Sequence, residues 1–155
     1  MIPTISEGLR TLLVATAALA AGFTWQALRT AAVPTASPDR LVGELRLAQI
    51  AALLLSLSAG AYIGIAAVHE ARLGIGLDVA FAVGFLIVAG VAIMREPRHA
   101  LTMLSLAFAA HAVLDVAHRP GLLPAGVAPW WYSVGCAVFD LYVSALCYLP
   151  VWRRP

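Results

Sequence analysis

His111, Asp115 and His118 fall at i, i+4 and i+7 within a stretch that is otherwise almost wholly apolar, from Ala100 to His118. On a helix that turns 100° per residue, the three directions lie within about 60° of one another, so one face carries two imidazoles and a carboxylate. That donor set suits Zn, Mn or Fe. A divalent transition metal held there could activate water or act as a Lewis acid. Two more carboxylates, Asp78 and Asp140, also sit in apolar surroundings. The expected site therefore has His111, Asp115, His118 and Asp78 as metal ligands, with Asp140 and Asp115 as the catalytic carboxylates.

The same residues have plainer uses. His and Asp one turn apart can satisfy each other by hydrogen bonding, and such a pair can simply pin helices together. Asp78 can serve as a helix-start anion, and Asp140 can bond to Ser144 or Tyr142. A proton relay, a quinone site or a haem site is a further reading, although haem needs axial ligands at matched depth and only His69 with His118 qualifies. Cys136 and Cys147 are three helical turns apart, about 16 Å, too far to form a disulfide with each other.

These residues must be positioned by membrane-spanning helices. The 155-residue chain is 62% hydrophobic and 12% charged, with a mean hydropathy of +0.90. An ordinary globular domain is about 25% charged. A spanning helix needs roughly 20 mainly apolar residues, so five nearly exhaust the chain. The fold expected is all-α, a polytopic integral membrane bundle of five transmembrane helices forming a single domain over 1–155, with helices near 8–30, 45–69, 74–94, 99–118 and 129–150. Pro34, Ser37 and Pro38 read as a loop after the first helix. Trp130, Trp131 and Tyr132 at one end of the fifth, with Tyr148 and Trp152 at the other, match aromatic belts.

All ten basic residues are Arg, and no Lys is present. A retinal Schiff base requires a Lys amine, which excludes a rhodopsin-type photoreceptor. A net charge of +2, spread over loops, does not make a nucleic-acid surface. The first apolar run has the look of a signal peptide near Ala18 to Ala21, but the charge distribution favours a retained helix. With five spans, one side carries Arg10, Arg72 and Arg119, while the other carries Arg29, Arg40, Arg46, Arg95, Arg98, Arg153 and Arg154. The positive-inside rule then puts the N-terminus outside and the C-terminus in the cytoplasm of a cell (inner) membrane.

Orientation gives depth. Asp115 lies about 7 Å and His111 about 13 Å below the break at Pro120, and Asp140 about 16 Å below Pro129. The ionisable residues thus gather in the outer half. Charges facing lipid are costly, so the stripes turn inward: Ser58, Tyr62 and His69 on the second helix, and Ser133, Cys136, Asp140, Ser144 and Cys147 on the fifth. The function expected is a metal-dependent membrane enzyme acting on a small apolar or lipid-like molecule. The alternatives are a non-enzymatic subunit or carrier with a proton, quinone or haem site, and a purely structural partner.

Overall fold

The computed structural model describes residues 7–68, 75–118 and 130–152. They form five helices, α1 (Glu7–Ala32), α2 (Pro38–Val68), α3 (Ile75–Ile93), α4 (Pro97–Ala117) and α5 (Trp130–Trp152). No strand occurs among the described residues. All five are long and apolar enough to cross a membrane. In hydrocarbon a helix satisfies its own N–H and C=O groups, which is why such a chain forms helices and little else.

The longest helix, α2, touches each of the other four, and around it α1 packs on α5, α5 on α4 and α4 on α3. Its buried side is built largely from small residues, Ala48, Ala51 and Ala52 between Leu47 and Leu55, with Ala59 one turn beyond. Small side chains let helix axes approach closely, and close packing drives association where lipid is as apolar as Leu. Phe23 and Ala27 from α1, Leu101, Leu104 and Phe108 from α4, and Val143 and Cys147 from α5 complete the core. Leu53, Leu57, Val113 and Val138 point outward, as a lipid-facing surface requires.

α2 begins at Pro38, seven residues before the start that apolarity alone suggests. Pro38 is not part of a loop. The Ser37 side chain accepts the Asp39 backbone N–H at 3.3 Å, capping the helix, and proline is pre-set for the first helical position. The charged stretch that follows is helical because its charges are used internally. Arg40 Nε donates to Glu44 Oε1 at 2.8 Å, and both side chains are buried. Arg40 Nη1 also donates to the carbonyls of Thr30 (2.6 Å) and Val33 (3.1 Å), and Nη2 to that of Pro150 (2.8 Å). One guanidinium thus joins the C-terminal ends of α1 and α5 to the first turns of α2. Glu44 takes Arg40 as its partner, in a buried setting.

A reciprocal pair ties α4 to α5. Ser144 Oγ donates to the Ser105 carbonyl (2.8 Å) and Ser105 Oγ to the Ser144 carbonyl (3.0 Å). Thr24 and Tyr142 share a hydroxyl–hydroxyl hydrogen bond between α1 and α5. These contacts fix the register in which the polar faces meet.

Candidate metal centre

Four helices supply the polar cluster, and α1 takes no part in it. His111 and Asp115 come from α4, Asp140 from α5, Tyr62 from α2, and Asp78 with its partner His118 from α3 and α4. The i, i+4 spacing holds His111 and Asp115 on one inward face of α4, where both are buried. The α4–α5 register set by Ser105 and Ser144 brings Asp140 alongside. His111 Nδ1 donates to Asp140 Oδ2 at 2.6 Å, and Asp115 Oδ2 lies 3.6 Å from the same nitrogen. The strong bond of His111 is therefore across helices, not along its own. Asp140 bonds to His111, where the sequence offered Ser144 or Tyr142 as partners.

Asp115 Oδ1 accepts a hydrogen bond from the Tyr62 hydroxyl. Its other oxygen, Asp115 Oδ2, and the second oxygen of its neighbour, Asp140 Oδ1, are buried with no hydrogen-bond partner among the described residues. An unpaired buried acceptor, and above all an ionised one, is costly. His111, Asp115 and Asp140 each offer a ligand atom, and the three atoms all lie within 4.8 Å of one another. Phe85 of α3 meets His111 edge-on, with ring centroids 4.7 Å apart, and Tyr62 does so at 5.7 Å. The imidazole is thereby held between two aromatic rings.

Of the four expected metal ligands, His111 and Asp115 belong to this convergent group. His118 and Asp78 pair with each other instead, His118 Nε2 lying 2.7 Å from Asp78 Oδ1 while Nδ1 donates to the Leu114 carbonyl at 2.7 Å. Both nitrogens of His118 are thus engaged. Asp78 stands in the first turn of α3, yet its carboxylate reaches across to α4. The two groups are neighbours all the same: Tyr62, Asp78, His111, Asp115 and His118 line one cavity of about 20 Å³. That is room for one water-sized guest or an ion. His69, the other half of the His69–His118 haem pair, lies outside the described residues.

Tyr62 is the member that residue type alone did not single out. Its signal was positional, since it shares a helical stripe with Ser58, and a phenol on an inward stripe in a membrane needs an acceptor. Comparison with known proteins adds no assignment: no family model, no curated protein and no solved structure matches the chain.

Proposed function

We propose that this protein is a membrane-embedded metalloprotein whose centre is formed by His111, Asp115 and Asp140, with the Asp78–His118 pair beside it. The observation that carries the reading is the pair of buried, unpartnered carboxylate oxygens. Asp115 Oδ2 and Asp140 Oδ1 come from two helices and flank one imidazole. Two carboxylates and a neutral imidazole around a divalent ion sum to zero charge, the favoured state in a low-dielectric interior. Binding would release the proton shared by His111 Nδ1 and Asp140 Oδ2, with the ring keeping a proton on Nε2 so that it stays neutral, as metal sites release protons when they load. Zn, Mn and Fe all accept such nitrogen and oxygen donors.

A divalent ion held there would supply Lewis acidity and ease the loss of a proton from water at neutral pH. Asp140 and Asp115 are the groups placed to take that proton. The cavity of about 20 Å³ admits a water or the reactive end of a longer molecule, and Phe81, Ala82 and Phe85 give it an apolar wall. A small apolar or lipid-like substrate approaching within the membrane fits this lining. By the Arg distribution, the centre faces the outer half of a cell membrane, with the C-terminus cytoplasmic.

The test is elemental mass spectrometry on detergent-purified protein, for wild type and for His111→Ala with Asp115→Ala, alongside thermal unfolding of both. About one transition metal per chain, lost in a variant that still unfolds cooperatively, is the expected result. No metal after reconstitution with Zn, Mn, Fe and Cu sinks the proposal.

One observation favours a second reading, a non-enzymatic relay or carrier. His111–Asp140, Tyr62–Asp115 and Asp78–His118 already form hydrogen-bonded pairs around one small cavity, as a proton path does. Proton flux in vesicles that is lost in Asp140→Asn, with no bound metal, would select it.

A further inference from the structure

A second polar site lies at the opposite end of the bundle, independent of the metal reading. Gln26, Arg29 and Thr30 of α1 and Asp39, Gly43 and Arg46 of α2 line a cavity of about 370 Å³. On each helix these positions follow a spacing of three and four, so two matching faces meet there. Gly43 makes the approach possible, since a Cβ there would sit 2.9 Å from Thr30 Oγ1. The opening beside this contact is flanked by two guanidiniums and one carboxylate. None of the three takes part in an ion pair among the described residues.

Depth identifies the surroundings. The apolar run from Leu47 to Val68 is about 33 Å long as a helix and fills the hydrocarbon layer by itself. Arg46 therefore stands at the layer's edge, and Asp39 about 10 Å beyond it, at headgroup level. Arg29 is on the last turn of α1, and its guanidinium stacks over Trp25 at 5.3 Å, an arrangement typical of the membrane interface. Val33 and Val42 also line the groove and offer an apolar contact to acyl chains.

We propose that this groove binds one bilayer phospholipid, with Arg29 and Arg46 on the phosphodiester and Asp39 on a headgroup donor, the ammonium of ethanolamine or the hydroxyls of glycerol. Two positive charges against one negative complement a single phosphodiester, and guanidinium forks suit its oxygens. Asp39 adds selectivity, because a choline headgroup has no hydrogen to donate.

Native mass spectrometry of the delipidated full chain, titrated with phosphatidylglycerol, phosphatidylethanolamine, phosphatidylcholine or inorganic phosphate, tests this. One phosphatidylglycerol or phosphatidylethanolamine per chain is expected, with phosphatidylcholine at least about tenfold weaker. Removing both charges with Arg29→Gln and Arg46→Gln should weaken binding by about thirtyfold. Arg29→Lys with Arg46→Lys keeps the charge and retains binding, and Asp39→Ala, which removes the acceptor, abolishes the preference over phosphatidylcholine. Equal binding of all three lipids overturns the proposal, as does loss of binding in the Gln and Lys pairs alike. Displacement of the lipid by millimolar inorganic phosphate reassigns the groove to a soluble anion and overturns it too.

Discussion

Asp115 holds one oxygen against the Tyr62 hydroxyl and leaves the other unpartnered beside His111. That division is what a metal ligand with an orienting neighbour needs, one lone pair fixed and the other free. Tyr62→Phe keeps the ring against His111 and removes only the donor. We expect its metal affinity to fall by about 10- to 100-fold, read by competition with a chromogenic chelator. Asp78→Asn, which alters the neighbouring pair with His118, should weaken metal binding less than Tyr62→Phe. If Asp78→Asn proves the more damaging, Asp78 belongs to the ligand set after all. The inward face of α4 was readable from the spacing of His111, Asp115 and His118. Which carboxylate each imidazole takes was not, because cross-helix partners depend on axial register and sequence spacing carries none.

At the scale of the helices, α2 departs most from what apolarity implies. Its first two turns carry the buried Arg40–Glu44 pair, and Arg40 also satisfies carbonyls from α1 and α5. Removing one partner of a buried pair strands the other, so Arg40→Ala should destabilise the bundle by about 3–5 kcal/mol, measured by denaturant unfolding in detergent. A loss under about 1 kcal/mol would mean that water reaches Glu44 freely. Glycines give a paired prediction. Gly43→Val forces a branched side chain against buried Thr30 and should cost about 1–3 kcal/mol. Gly60→Ala meets nothing within 4 Å and should be neutral, or stabilising by about 0.5–1 kcal/mol. Both glycines look alike in the sequence, and only the neighbour across the interface separates them.

For the whole molecule, the Arg distribution predicts that the Thr30–Val33 end of α1 and the Trp152 end of α5 share the cytoplasmic side. In a background with Cys136→Ser and Cys147→Ser, a single Cys at Pro155 should resist an impermeant maleimide in intact cells and react after lysis. Labelling in intact cells would invert the protein and move the His/Asp cluster to the cytoplasmic half without altering its geometry. Composition by itself determined that the chain lives in a bilayer as five helices, because each apolar run is continuous and long enough to span, and a helix satisfies its whole backbone within one such run. It also determined that Asp78, Asp115 and His118 lie towards the same end of the bundle, since their places along the runs set their depth. Only the tertiary structure decided that Asp140 joins His111 and Asp115, that His118 turns to Asp78, and that Arg40 lies buried among three helices. Those choices follow from rotation and register between helices. Rotation and register are set by where small residues such as Gly43 and the α2 alanines let backbones approach, a property of facing surfaces that one strand of text does not contain.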